Sequence, residues 1–154
     1  MNFEIIDKVG MPNVLYFISG KLEPYDTSKI EWVKLLPLNR EVLLHGECKF
    51  PVSGSEIING RDRGYRIRAS VNVEMSPPFS FIHWGREYIE AGCQKWLSKE
   101  AEYHFSDLEE CAVHTLSHEC FHFLSDSGQV EEKNYEANAN WWADCWLEDF
   151  KSKS

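Results

Sequence analysis

Residues 114–124 read HTLSHECFHFL, three histidines at intervals of four with a glutamate directly after the second. On a helix, positions four apart are turned by only ~40° and separated by ~6 Å along the axis, so the imidazoles of His118 and His122 project from one face toward a single ion. Glu119 lies ~100° further round, near such an ion but off the ligand face, where a carboxylate can move a proton to or from a water. The HECFH spacing thus supplies two metal ligands and a base. His114, a further turn back, drifts off the ligand face and is assigned a structural role.

A site of this kind needs a third ligand, and no histidine follows His122. It must be acidic, and Asp126, Glu131, Glu132, Glu136, Asp144, Glu148 and Asp149 are available. Glu136 qualifies best. It lies in the first turn of an expected helix, on the side of Ala139, Ala143 and Leu147, and the two small alanines let a neighbouring helix approach closely. Asn140, one turn on, would face the same place and accept the free ring N–H of a ligating histidine. Asp144 is the weaker alternative ligand.

The elements that must carry these residues are read from periodicity. Ser106 and Glu109 have the form of a capping box, and Ser125-Asp126-Ser127-Gly128 is an exit turn, so the motif sits in the middle of a helix between them. A second helix runs from about Asn134 to Phe150, and Ile89, Cys93, Trp96 and Leu97 suggest another, starting near Arg86. Before that point the period is two. GYRIRASVNVEM alternates apolar Tyr65, Ile67, Ala69, Val71, Val73 and Met75 with polar residues, and shorter strands are expected at Asn13–Ile18, Glu41–Phe50 and Phe79–Trp84. The fold class is α+β: one domain over residues 1–154, a small, largely antiparallel sheet in 1–85 and packed helices in 86–150.

HECFH followed by EANANWWADCWL resembles the ImmA/IrrE type of zinc metallopeptidase, whose pattern is HExxH and then ExxANxFAxxLL. The match runs through Glu136, Ala139, Asn140 and Ala143, with Trp142 where the family usually has Phe and Trp146-Leu147 in place of a leucine pair. The resemblance covers about Ser106 to Phe150. It implies a zincin-like fold, Zn2+ held by His118, His122 and Glu136, Glu119 as general base, Asn140 supporting a histidine, and hydrolysis of peptide bonds in an intracellular protein. The alternative on the same scaffold is a zinc-containing binding or sensor module without catalysis. Among His83, His104, Tyr88, Tyr103 and Tyr135, no one residue stands out as the stabiliser of an oxyanion.

Bulk composition narrows the partners. A net charge of −9 and 43% hydrophobic residues describe an acidic, well-cored globule, which disfavours nucleic acid as direct substrate. The four arginines of RDRGYRIR read as a solvated sheet face. The N-terminus has no signal-peptide pattern and no apolar run reaches the length of a membrane span, so a cytoplasmic protein is expected. Five scattered cysteines without a CxxC pair are expected to be reduced. A protein or peptide substrate would be held at a free strand edge, for which FSFIHW, following two prolines, is the candidate.

Overall fold

The computed structural model describes residues 3–51, 63–90 and 93–153. Its N-terminal part departs from the expected strand order. Strand β1 (Glu4–Asp7) is followed by helix α1 (Pro12–Leu22), then β2 (Ile30–Pro37), β3 (Leu44–Lys49) and β4 (Tyr65–Val71). Asn13–Ile18 is therefore helical. Its apolar residues Val14, Leu15, Phe17, Ile18 and Leu22 recur at helical intervals and are all buried, and the Asp7 carboxylate accepts the N–H groups of Val9, Gly10 and Met11 just ahead of Pro12. A helix leaves four N–H groups unpaired at its start, so this carboxylate and the proline favour starting one here.

With α1 as the crossover, β1 and β2 pair in parallel, and β2 pairs in parallel with β4. Only β3 runs antiparallel, on the outer side of β4. The sheet order is β1-β2-β4-β3, so the sheet is mixed and not largely antiparallel. Its inner face is the apolar half of the alternation in β2 and β4. Val33, Leu35, Ile67, Ala69 and Val71 are buried there. A bulge between Ile30 and Trp32 shifts the period in β2. β4 stops at Asn72, whose side chain accepts from Glu74 N and donates to Arg40 O, a turn-forming pair of bonds. On the outer face Arg68 pairs with Glu47, Arg63 pairs with Glu31, and Arg66 donates to the Phe50 carbonyl. These arginines form the solvated face expected of them; Arg61 lies outside the described residues.

Residues from Phe79 form a separate hairpin, β5 (Phe79–Glu90) against β6 (Cys93–Phe105), antiparallel. The helix expected from Arg86 through Leu97 is replaced by these two strands. The spacing of Ile89, Cys93, Trp96 and Leu97 imitates a helical face, but strand propensity depends on what lies alongside, and here each segment has the other as partner.

The last two helices are where the sequence placed them: α2 (Leu108–Asp126) and α3 (Glu136–Ser152). The cap of α2 is one residue later than expected. Asp107 accepts from Glu110 N, and the Glu110 carboxylate accepts from Ser106 N. The exit uses Gly128 at φ 76°, with Gln129 N donating to Leu124 O. Every residue of α2 from Glu110 to Phe121 is buried. The helix is enclosed by the sheet on one side and by α3 and the end of β6 on the other, so its polar side chains depend on partners inside the protein, which the histidines and Thr115 find and the Ser117 hydroxyl does not. No helix among the described residues is long and apolar enough to cross a membrane. Cys48, Cys111, Cys120 and Cys145 are free thiols.

Candidate metal centre

Helices α2 and α3 run antiparallel, and the three histidines of α2 meet polar residues of α3 or its lead-in turn by turn. His114 Nε2 lies 2.9 Å from Asp144 Oδ1. His118 Nδ1 lies 2.7 Å from Asn140 Oδ1, and His122 Nδ1 lies 2.6 Å from Asn134 Oδ1. In the first rung His114 is buried against the rings of Tyr103 and Phe105 at the end of β6. It also engages Asp144, the weaker ligand candidate. Three of the other acidic candidates have partners of their own. Asp126 accepts from the Tyr65 hydroxyl at 2.6 Å, Asp149 pairs with Lys21, and Glu148 pairs with Lys151.

The second and third rungs have a chemical consequence. An amide oxygen accepts, so each Nδ1 must carry its proton, and the lone pair of a neutral imidazole is then at Nε2. The two Nε2 atoms lie only 3.1 Å apart. The Glu136 carboxylate closes a triangle with them, at 3.0 Å from His118 Nε2 and 2.9 Å from His122 Nε2. Two lone pairs and a carboxylate at such distances repel unless something positive is shared between them, either protons or a metal cation. A tetrahedral zinc with ligands at 2.0–2.1 Å would separate these atoms by about 3.3 Å, within a few tenths of what is observed. Among the described residues, His118, Glu119 and His122 form the cluster whose ligand atoms all lie within 4.8 Å and can hold a metal ion.

Ionisation follows from this packing. Hydrogen bonds from His118 and His122, reinforced by their charges, hold the Glu136 carboxyl well below the usual carboxylate range. Burial works against the charged form of His122, but bonds to Glu136 and Asn134 and the charges of Glu119 and Glu136 outweigh it, and its pKa is raised. Glu119 is in the opposite position. Its burial pushes the carboxyl upward; the histidines pull it back, and Glu136 and Glu47 add to the push. Its Oε1 is 3.9 Å from His118 Nε2.

The five residues singled out by sequence, His118, Glu119, His122, Glu136 and Asn140, are brought together. Asn134, expected to open the helix, instead precedes it, since α3 begins at Glu136, and its bond to His122 was not anticipated. Of the oxyanion candidates, Tyr103 is packed on His114 with its hydroxyl pushed up to about 12, chiefly by burial. Tyr135 is half exposed beside Glu136, and His104 is exposed. The side chains of His83 and Tyr88 lie outside the described ones.

Strand β3 passes over this cluster, on the Glu119 side. Asn72 N donates to Leu43 O across the β3–β4 pair. Because hydrogen-bonded and open pairs alternate along antiparallel strands, the backbone groups of His45, Glu47 and Lys49 face β4. Those of Leu44, Gly46 and Cys48 therefore face away from β4, where no strand is paired among the described residues. Among the described residues β3 thus presents an unpaired edge beside Glu119, while β5, which carries FSFIHW, is paired on one side only, with β6. Comparison with family models, with curated proteins and with solved structures finds no match for this chain.

Proposed function

We propose that this protein is a zinc-dependent endopeptidase. The observation that carries the reading is the pair of facing Nε2 atoms, each histidine fixed through Nδ1 by an asparagine and both within 3.0 Å of the Glu136 carboxylate. Two imidazoles and one carboxylate are a donor set that suits zinc and leaves a fourth position open. His118, His122 and Glu136 would hold it. Bound zinc supplies a Lewis acid for the scissile carbonyl and lowers the pKa of a water to about 7. Glu119, beside the ligands but not needed among them, takes the proton of the attacking water and returns it to the leaving amine. The raised carboxyl of Glu119 suits a group that must both accept and give up a proton near neutral pH.

An extended peptide would be aligned by the outward N–H and C=O groups of Leu44, Gly46 and Cys48, main-chain bonds that tolerate any sequence. The ImmA/IrrE-like pattern of residues 118–147 supports a zincin-like fold and an intracellular protein substrate, and the motif helix enclosed beneath a mixed sheet agrees with that fold.

The test is Glu119→Gln. It should keep one zinc per chain while peptide cleavage falls by about 10²- to 10⁴-fold, the usual contribution of a general base. Equal cleavage by variant and parent would refute the role of Glu119. Zinc without cleavage in the parent would instead favour a sensor module on the same scaffold.

A further inference from the structure

The one glycine of β3 lies directly over Glu119. A Cβ at Gly46 would stand 2.6 Å from Glu119 Oε1, 2.8 Å from Thr115 Cγ2 and 3.0 Å from Glu119 Cγ. None of these atoms is a loose end. Glu119 is buried, and the hydroxyl of Thr115 donates to Cys111 O at 2.8 Å, which fixes the direction of its methyl group. The strand backbone and α2 are thus in contact through a slot that only a residue without a side chain leaves open. The slot holds the Glu119 carboxylate against the face of the strand, and the outward backbone groups of the same Gly46 lie at the strand's edge beside it.

We infer that Gly46 is a positioning residue. Its bare backbone sets how closely the edge of β3 that is unpaired among the described residues lies to the Glu119 carboxylate and, through it, to His118 and His122. The inference rests on the endopeptidase reading for its catalytic meaning but not for its geometry. To restore ordinary contact, 3.4 Å or more, an alanine at 46 must drive the strand and the carboxylate apart by about 0.8 Å. A displacement of that size between a reacting group and what it acts on costs on the order of 10²-fold in rate. The metal ligands lie on α2 and α3 and are left in place.

The decisive measurement is a melting comparison on metal-free protein. Gly46→Ala should lower the thermal midpoint of the parent by roughly 5 °C, the effect of an overpacked site in a chain of this size. In a Thr115→Ser/Glu119→Ala background all three crowding atoms are gone, and the same substitution should leave the midpoint unchanged or raise it. If Gly46→Ala alone fails to fold while the triple variant folds, the inference also stands. An equal drop in both backgrounds, or failure of both to fold, overturns it. In zinc-loaded parent that cleaves peptide, Gly46→Ala should lower kcat about 10²-fold with zinc content unchanged; kcat within twofold of the parent overturns the inference. A parent that cleaves nothing sinks the peptidase reading alone, and the melting comparison still decides the place of Gly46.

Discussion

Replacing Asn140 by alanine should weaken metal binding far more than replacing Asn134, although both asparagines make the same bond to a histidine Nδ1. Asn140 is 2% exposed and accepts from a buried His118, at 2.7 Å. Asn134 is exposed, and its bond to His122, at 2.6 Å, lies where water can take its place. When a metal occupies Nε2, the proton must sit on Nδ1. In Asn140→Ala that N–H is stranded in the interior, a cost of about 1–3 kcal/mol. The metal-free protein escapes this cost because His118 can carry its proton on Nε2 and donate to Glu136 instead. The whole penalty therefore falls on the metal-bound state, a loss of about 5- to 150-fold in affinity. For Asn134→Ala, water replaces the amide and the loss should be about twofold. Competition with a chromophoric chelator measures both. Asn140→Asp restores an acceptor and should recover parental affinity or better. Equal losses at the two positions, or none at Asn140, would refute the assignment of Nδ1 protons to the asparagines.

Three further outcomes are expected. Asp144→Ala should leave zinc content unchanged and lower the thermal midpoint by about 2–4 °C, since it strands the buried His114 Nε2 at a cost of about 1 kcal/mol; loss of zinc would instead make Asp144 a ligand. For the metal-free protein, the Glu136 carboxyl is held below its ordinary 4.5, so its contribution is present above that value and lost on acidification. His122 is held above its ordinary 6.5, so its contribution is present below that value and lost as pH rises. Chelated protein should therefore be most stable between these two values, and zinc uptake in this window should release protons, as a pH-stat will record. Proline at Leu44 or Cys48 removes an outward N–H and should weaken peptide cleavage with zinc retained, whereas proline at Glu47 breaks the β4 ladder and should unfold the sheet. Unimpaired cleavage in both of the first two variants would place the substrate elsewhere.

The parts of the protein legible in its sequence are those governed by local rules. A cap, a run of period 3.6 and a glycine exit bounded α2, and the four-residue interval fixed which of its side chains converge. The same interval in α3 aligned Glu136 with Asn140 and carried both to the histidines. What escaped is governed by neighbours. Val14-Leu15-Tyr16-Phe17-Ile18 has the composition of a strand, and only the Asp7 cap and the packing of α1 make it helical. The bulge at Ile30/Trp32 hid β2 by breaking its alternation, and with β1 and β2 unseen the parallel pairing could not be inferred. The hairpin of β5 and β6 carries apolar residues at helical intervals by accident of register. A glycine in β3 says that something comes close, but not that it is the Glu119 carboxylate.

Metal content of the purified chain, by mass spectrometry beside the same measurement on Glu136→Ala, tests the central claim most directly. Glu136 lies 2.9–3.0 Å from both Nε2 atoms. The expected result is one zinc per parent chain and its loss from the variant after dialysis against a mild chelator. A parent chain without zinc, or a Glu136→Ala chain that holds it as tightly as the parent, would contradict the site described.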